Sequence, residues 1–371
     1  MKITILQGAF LPVPGKRGGA IEKAWEALGQ SFANDGHEVT HISRKCDGLP
    51  EDQWIGQVRH LRVRGFDSVK NSLFLKLLEF IYVIRSKSVI PNGDILVTHA
   101  FWAPILLTRP EYGKIYVHVG RYPKGQIRFY QKASRFQVPT KAIFEALKKE
   151  IPNRTTAISV LPYPINWNVN VKGRYLERSS TILYLGRIHP EKGVIELIKA
   201  FKAIPNHLRK DWKLCIRGSW RVEQGGGGKS YLSKVKKEAE GESEIEILEP
   251  TFSIKELKKS LESVKLFVYP SFAEKGETFG LAVLEAMSCG CVPIVSSLEC
   301  FKDLVDVQKN GYVFNHFSTN KIQLLTAKIE EAIQSPEKNK VFSDECFRKA
   351  KTFEVKELAP KYIKDFKVLL A

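Results

Sequence analysis

A buried strand, a loop and a buried helix follow one another between residues 266 and 290, and this order constrains the fold more than any other feature. Residues 266–271 (LFVYPS) predict the strand, and residues 280–289 (GLAVLEAMSC) predict the helix, which Gly290 is suited to end. A strand that is apolar on both faces belongs in a parallel sheet covered by helices on both sides. The sequence therefore predicts an α/β fold.

The same alternation of strand and helix runs along the whole chain. With 371 residues the chain is too long for one ordinary domain and suits two. We predict two doubly wound parallel-sheet domains, at residues 1–165 and 179–354, joined by a linker at residues 166–178. The predicted strands are residues 2–7, 37–43, 94–98, 115–119 and 136–138 in the first domain, and residues 181–185, 213–217, 245–248, 266–271 and 292–296 in the second.

Two carboxylates flank the loop-to-helix junction in the second domain. The backbone N–H groups of Phe279, Gly280 and Leu281 form the positive end of the predicted helix, which suits an anion. Glu285 lies among apolar residues, so its carboxylate needs donors, and the hydroxyls of a sugar or a ribose supply them. The alternative is that Glu285 has a structural partner within the protein and that Glu277 is solvated. For the two acids alone, we give these two interpretations equal weight.

A second junction carries basic residues. Residues 181–185 predict a strand and residues 194–204 a helix, with the loop GRIHPEKG between them. Arg187 and Lys192 in this loop, which we expect to be exposed, suit a diphosphate as a guanidinium fork and a point charge. Two basic residues in a loop are usually just solvated. Together with the loop that precedes the helix at residues 280–289, however, Arg187 and Lys192 indicate a diphosphate site.

The two junctions resemble the motifs of the retaining glycosyltransferases of family 4, which have the GT-B fold. The resemblance is carried by residues 186–193, by the two acids of residues 277–285 and by the glycine pair at residues 18–19. It implies two Rossmann-like domains facing across a cleft, with a helix at about residues 355–371 returning to the first. It also implies a nucleotide-sugar donor, transfer with retention at the anomeric carbon, and neither a cofactor nor an essential metal.

The resemblance also implies roles for particular residues. Arg187 and Lys192 hold the diphosphate and stabilise it as it leaves, Glu277 binds sugar hydroxyls, and Glu285 binds the ribose. By their order along the chain, Arg217 and Gly218 border the nucleotide and Thr251 and Phe252 lie near the base. The remaining predicted donor contacts are the backbone groups of Gly18, Gly19, Phe279, Gly280 and Leu281.

A histidine in the first domain completes the predicted site. His118 lies at the end of the predicted strand 115–119, and the family has a histidine near this place that contacts the donor sugar. Imidazole suits proton handling near neutral pH, so we predict that His118 is catalytic. His99, after the strand at residues 94–98, is its competitor, and a structural role is the alternative.

The net charge limits the classes of partner that the protein can have. A net charge of +18 implies acidic partners, and nucleotide diphosphates and anionic lipid head groups both fit. We exclude nucleic acid, because the sequence contains no zinc finger, RNA-binding sheet motif or recognition-helix pattern. Residues 73–84 (LFLKLLEFIYVI), flanked by basic residues, suit weak peripheral contact with an anionic membrane. A helix that covers the sheet is the stronger alternative for this segment.

The sequence also predicts the cellular compartment of the protein and one mobile loop. The first residues predict a strand rather than a signal peptide, and no apolar run reaches the roughly 18 residues of a membrane span. The six cysteines lack the CxxC spacing of a metal site and the spacing of a disulfide framework, so we expect buried thiols in a reducing compartment. We therefore expect a cytoplasmic protein, with peripheral contact at the inner face of the membrane if the acceptor is a lipid. Residues 225–228, four consecutive glycines, predict a mobile surface loop.

The expected function is transfer of a hexose from a nucleotide sugar to a saccharide or a lipid-linked saccharide in polysaccharide or glycoconjugate biosynthesis. A UDP-hexose such as UDP-glucose is favoured as the donor, with GDP-mannose next. The alternatives are a nucleotide-sugar epimerase or a phosphorylase on the same fold, and a binding protein without activity. No lysine motif for pyridoxal phosphate is evident, which counts against a phosphorylase.

Overall fold

The computed structural model of the chain describes residues 1–15, 19–69, 71–170 and 175–371. It divides into two compact units, of which the first comprises Met1–Trp167 with Phe353–Ala371 and the second Asn168–Thr352. Gly18 lies outside the described residues, as do residues 171–174 of the predicted linker. The α-helices within the described residues are α1 (Ala20–Asn34), α2 (Ser72–Ser86), α3 (Ala103–Leu106), α4 (Lys141–Glu150), α5 (Val194–Lys202), α6 (Asn206–Arg209), α7 (Gly228–Ala239), α8 (Ile254–Glu262), α9 (Leu281–Ser288), α10 (Lys321–Ile333), α11 (Pro336–Lys351) and α12 (Val355–Leu370).

The first unit is built on an eight-stranded sheet. Its strands are β1 (Lys2–Leu6), β2 (Glu38–Arg44), β3 (Asp52–Ile55), β4 (Val58–Val63), β5 (Ile95–Thr98), β6 (Lys114–His118), β7 (Ala133–Val138) and β8 (Ile158–Val160). They are ordered β3-β4-β2-β1-β5-β6-β7-β8, and every neighbouring pair is parallel except the β3–β4 hairpin. The strand order reverses between β1 and β5, where ligands of such sheets usually bind.

Helices α1 and α12 cover one face of this sheet. Trp25 and Phe32 of α1 are fully buried, and their rings meet Tyr362 and Phe366 of α12 at centroid distances of 5.3 Å and 5.7 Å. The Tyr362 hydroxyl donates to the carbonyl oxygen of Leu161 at 3.1 Å. The last helix of the chain is therefore part of the core of the first unit.

The second unit has a six-stranded sheet with the strand order of the Rossmann fold. Its strands are β9 (Ser179–Leu185), β10 (Lys213–Arg217), β11 (Ile245–Leu248), β12 (Val264–Tyr269), β13 (Val292–Ser296) and β14 (Tyr312–Phe314). They run parallel in the order β11-β10-β9-β12-β13-β14. The order reverses between β9 and β12, so the loops after these two strands border the expected ligand crevice.

The fold-class prediction of two parallel-sheet α/β domains is confirmed. All ten predicted strands are present, with ends that differ by up to three residues, and Gly290 ends α9 with a φ of 76°. Four short strands were not predicted, namely β3, β4, β8 and β14. In the described part of the chain, no helix combines the length and apolar character needed to cross a membrane.

Candidate active site

Two loops meet at the point where the strand order of the second unit reverses. Residues 186–193 follow β9 and residues 270–280 follow β12, and these two strands are neighbours in the sheet. The N–H of Phe272 donates to the carbonyl oxygen of Glu191 at 2.7 Å. Gly193 has a φ of 69°, and a Cβ there would lie 2.3 Å from the carbonyl oxygen of Pro270. Only glycine permits this close approach of the two loops.

The buried centre of the site is an ion pair. The Nζ of Lys192 lies 2.7 Å from the Oε2 of Glu277, and the hydroxyl of Tyr269 donates to the same oxygen at 3.1 Å. Lys192 is only 3% exposed, so the expectation that it lies in an exposed loop is wrong. The sequence places it in a loop, but that loop is covered by residues 270–280. The structure thus brings together the predicted phosphate ligand and the predicted sugar ligand.

Arg187 lies at the rim of the same loop, with a side chain that is 41% exposed. Its Nη1 donates to the carbonyl oxygen of Gly225 at 2.7 Å, and its Nη2 donates to the Oε1 of Glu191 at 3.0 Å. These contacts occupy two of the five N–H donors of the guanidinium group. The other three remain for an anion, while the two contacts fix the orientation of the group.

Arg217 is the last residue of β10, and Gly218 follows it alongside this loop. The N–H of Gly186 donates to the carbonyl oxygen of Arg217 at 3.2 Å. A Cβ on Gly218 would lie 1.6 Å from the carbonyl oxygen of Gly186, so any side chain at residue 218 would displace the Arg187 loop. Gly218 therefore has a clear structural role at the predicted nucleotide border.

The glycine run at residues 225–228, for which the composition predicts a mobile surface loop, is hydrogen-bonded to neighbouring backbone. The N–H groups of Gly226, Gly227 and Gly228 donate to carbonyl oxygens of Arg221, Ile188 and Trp220 at 2.8 to 2.9 Å. Composition alone suggested mobility, but these glycines allow the backbone to pack closely. A Cβ on Gly226 would lie 2.2 Å from the backbone of Trp220. The run forms one wall of the Arg187 site.

Helix α9 begins at the second loop without a side-chain cap. Gly280 is its N-cap residue, with a φ of 89°, and a Cβ there would lie 2.6 Å from the Phe301 ring. Leu281 is the first helical residue, and Phe279 is buried just before it. The first N–H groups of an α-helix lack intrahelical acceptors and carry the positive end of its dipole. They therefore suit a negatively charged ligand.

The other predicted donor contacts lie on the same edge of the second sheet. Glu285 is buried on α9. The Nη1 of Arg217 donates to the carbonyl oxygen of Glu249 at 3.3 Å, which ties it to the loop containing Thr251 and Phe252. The Thr251 hydroxyl donates to the Oε2 of Glu256 at 2.6 Å, while Phe252 is exposed.

A pair of tyrosines supports both loops, and the sequence analysis missed it. The hydroxyl of Tyr184 donates to the carbonyl oxygen of Arg187 at 2.8 Å, and the hydroxyl of Tyr269 holds Glu277. The two rings stack with centroids 5.8 Å apart. Burial raises the pKa of both hydroxyls, so they remain protonated donors. Their position near the ends of neighbouring strands was the available signal.

His118 occupies a buried position at the end of β6 in the first unit. Its Nδ1–H donates to the Oε1 of Gln137, and its Nε2 accepts from the hydroxyl of Tyr163 at 3.0 Å. Burial lowers the pKa of His118 to about 4, so the ring is neutral at physiological pH. With both nitrogens engaged, His118 needs a rearrangement of Tyr163 before it can contact a substrate.

His99, the competitor of His118, lies beside it with ring centroids 4.9 Å apart. Its Nδ1–H donates to the carbonyl oxygen of Leu6 at 3.0 Å. Burial holds the pKa of His99 well below its usual range. Both histidines border one cavity at the carboxyl ends of β1 and β5.

This cavity of the first unit has a volume of about 140 Å³. A Cβ on Gly19 would lie 2.2 Å from the Oε2 of Glu22, a cavity-lining carboxyl whose pKa burial raises while Arg121 opposes the shift. Lys76 and Glu79 form a second charged pair in the lining, 3.2 Å apart. Sequence analysis missed these charged residues. The position of Glu22 just after the glycine pair was the signal.

The arrangement in the second unit suits stabilisation of a departing diphosphate. An arginine with free donors, a buried ammonium and an uncapped helix start lie in two loops that contact each other. Preorganised positive groups of this kind stabilise negative charge that develops during a reaction. Within the described ranges, no three His, Cys, Asp or Glu side chains come together as metal ligands.

Comparison with solved structures identifies the class of fold. The structure superposes on sucrose-phosphate synthase from Thermosynechococcus elongatus with a TM-score of 0.78, at 16% identity, covering 100% of this chain and 99% of that one. Its structural neighbours are glycosyltransferases of the GT-B class. At this level of identity the likeness shows the fold alone.

Sequence comparison adds the class of activity. Residues 170–347 match the family model described as glycosyl transferases group 1. The chain is 23% identical over 295 residues to O-antigen chain mannosyltransferase B of Escherichia coli, covering 71% of this chain and 68% of the relative. It is 24% identical over 288 residues to lipopolysaccharide 1,2-N-acetylglucosaminetransferase of Salmonella typhimurium, covering 72% and 74%. These findings support a group 1 glycosyltransferase.

Proposed function

We propose that the chain is a retaining, metal-independent hexosyltransferase of family 4 that uses a nucleotide sugar as its donor. The observation that carries this proposal is the pair of contacting loops that holds Arg187 and Lys192 beside the start of α9. These groups lie where the strand order of a Rossmann-type sheet reverses, which is the usual place for a nucleotide.

In the proposed reaction, the bond between the anomeric carbon and the diphosphate breaks, and the acceptor hydroxyl gives its proton to the departing diphosphate. The acceptor oxygen then bonds to the anomeric carbon on the same face of the sugar. Arg187 and Lys192 stabilise the negative charge as it develops on the leaving diphosphate, together with the N–H groups at the start of α9. Glu277 binds sugar hydroxyls and Glu285 binds the ribose. We also propose that His118 takes part in the reaction once Tyr163 has moved.

The proposed donor is a UDP-hexose such as UDP-glucose, with GDP-mannose as the second candidate. The second candidate is retained because one relative is a mannosyltransferase by name. A thermal-shift panel of UDP-, GDP- and ADP-sugars decides between them. A ligand at a hundred times its Kd stabilises the folded protein by about 2.7 kcal/mol. We expect the largest rise in Tm with the UDP-hexose. A larger rise with GDP-mannose contradicts the assignment of uridine.

The proposed acceptor is a saccharide or a lipid-linked saccharide that binds to the first unit. The two relatives are named for O-antigen and lipopolysaccharide reactions, which supports a role in glycoconjugate biosynthesis. The cavity of the first unit, with Glu22 and Arg121 in its lining, offers polar groups to sugar hydroxyls. We place the protein in the cytoplasm, in weak peripheral contact with the inner face of the membrane.

Stereochemistry and metal dependence test the proposal directly. With an α-linked donor in the presence of EDTA, we expect proton NMR to show an α-linked product. The α configuration follows from the retaining mechanism. Activity in EDTA follows because charged side chains supply the positive charge that a metal would. Glu277→Gln should turn over more slowly but still give the α product, because we assign Glu277 to hydroxyl binding rather than to nucleophilic attack. A β-linked product contradicts the retaining mechanism. Loss of activity in EDTA that Mg²⁺ restores contradicts metal independence.

An epimerase and a non-catalytic binding protein are the alternatives. Incubation with the donor alone separates the first, since an epimerase converts one sugar nucleotide into another without an acceptor. Donor binding without turnover on any acceptor indicates the second.

A further inference from the structure

A basic groove lies in the first unit, beside the carboxyl ends of β2 and β4 and the end of α2. Its volume is about 720 Å³. Five cationic side chains and two carboxylates line it, so it carries an excess of positive charge. The charged residues of this basic groove are Arg44, Lys45, Arg62, Arg64 and Arg85 with Asp47 and Glu51.

Among the residues that the structure describes, carboxylates pair with two of the cations of the basic groove. Lys45 pairs with Glu51, and Arg44 pairs with Asp67 at 2.9 Å. Arg62 is buried, yet its Nη1 donates to the carbonyl oxygen of Pro50 at 2.6 Å rather than to a carboxylate. A buried cation without a counter-charge is costly, and an anion from outside the protein would relieve that cost.

The other two arginines are accessible. Arg64 is exposed at the end of β4. The Nη1 of Arg85 donates to the backbone carbonyl oxygen of Arg64 at 3.0 Å, and its guanidinium lies 5.1 Å from the centroid of the Phe66 ring. Guanidinium groups bind phosphate oxygens through pairs of N–H donors. The basic groove therefore suits a phosphate or a diphosphate.

An exposed apolar face runs along the helix that ends at the basic groove. On α2, Tyr82 and Val83 are buried against the sheet. In contrast, Leu73 is 82% exposed and Leu77 is 51% exposed, and Ile84 beside Arg85 is exposed as well. Residues three, four and seven apart lie on one side of a helix, so these side chains form one stripe that leads to the basic groove. An apolar stripe beside a cationic groove matches an amphiphile with a phosphate head.

We propose that the first unit binds the head group of a lipid phosphate in the basic groove, with the hydrocarbon chain of that lipid along the exposed face of α2. The ligand class is a long-chain alcohol that carries a terminal phosphate or diphosphate. This inference rests on the proposed function only in that such a lipid then carries the acceptor sugar. Binding of the lipid requires neither the donor nor turnover.

Vesicle flotation with the full chain tests this proposal. Phosphatidylcholine vesicles carry either a polyprenyl phosphate or phosphatidylglycerol at matched surface charge. We expect at least about tenfold tighter binding to the polyprenyl phosphate, and a loss of at least about tenfold with Arg64→Glu. Lys132→Glu is the matched control, since it makes the same charge change at an exposed residue before β7. Equal binding to both vesicles, or equal binding of both variants, overturns the proposal.

A second pair of variants tests the apolar face. Leu77→Ser should weaken binding to the polyprenyl phosphate vesicles several-fold, whereas Val368→Ser, at an exposed position on α12, should not. If Leu77→Ser binds as tightly as Val368→Ser while inorganic pyrophosphate displaces the protein from the vesicles, the basic groove takes free phosphate and the lipid assignment is overturned. The thermal shift with nucleotide sugars should be unchanged in all four variants. Failure of donor binding in the unmodified chain would instead count against the proposed function.

Discussion

Replacing Lys192 with methionine is expected to lower kcat/KM at least about a hundredfold and to destabilise the second unit. We expect the catalytic loss because the variant removes a preorganised positive charge from the proposed diphosphate site. The loss of stability has a different cause, because the ammonium is the ion-pair partner of Glu277 at 2.7 Å in a largely buried place. Breaking such a pair leaves one carboxylate uncompensated, which costs about 3 kcal/mol or more. Steady-state kinetics and thermal unfolding measure the two effects.

The double variant Lys192→Met with Glu277→Gln separates these effects. Removing both charges should restore much of the unfolding free energy, because neither partner is left as an isolated charge. Turnover should stay as low as in the single variant or lower. If the double variant recovers activity together with stability, the ammonium acts only in the fold and has no role at the diphosphate.

Replacing Arg187 with alanine is expected to lower kcat at least about tenfold with almost no loss of stability. The guanidinium is 41% exposed, and exposed ion pairs such as the one with Glu191 contribute at most about 1 kcal/mol. In the proposed reaction, its three unoccupied N–H donors stabilise the charge on the leaving group, so kcat should fall together with affinity for the donor. Single-turnover kinetics with saturating donor isolate the chemical step.

Arg221 provides a matched control for this experiment. Its side chain is 38% exposed and lies 3.4 Å from Glu249, so Arg221→Ala removes a similar charge from a similar ion pair near the same glycine run. We expect near-normal turnover in this variant. Equal losses in Arg187→Ala and Arg221→Ala would indicate a general effect of surface charge and remove the diphosphate assignment.

Periodicity and turn residues were enough to predict the fold class. The buried parallel strands are near-continuous apolar runs, and glycines mark the ends of several helices, so the order of elements followed from the sequence. Strands β3 and β14 were missed because they are short strands at the edges of their sheets. Residues 52–55 form a four-residue edge strand in an antiparallel hairpin, and residues 312–314 form a strand of only three residues. Short edge strands depend on their neighbours more than on their own composition.

The site was predictable in its residue types but not in its packing. Sequence placed Arg187, Lys192 and Glu277 in loops at strand ends, and loops are generally assumed to be exposed. The burial of Lys192 arises from a second loop 80 residues later, and no local pattern reports such a contact. No local pattern reports the packing of the glycine run at residues 225–228 against residues 188 and 220–221 either.

The stacked pair of Tyr184 and Tyr269 has a consequence for engineering this protein. The loop with Arg187 and the loop with Glu277 rest on the same two rings, so neither loop can be exchanged by itself. A loop transplanted from another enzyme would arrive without the hydroxyl that holds its backbone or its carboxylate in place. Chimeras intended to change donor preference should therefore exchange residues 184–193 and 269–281 together, with both tyrosines included.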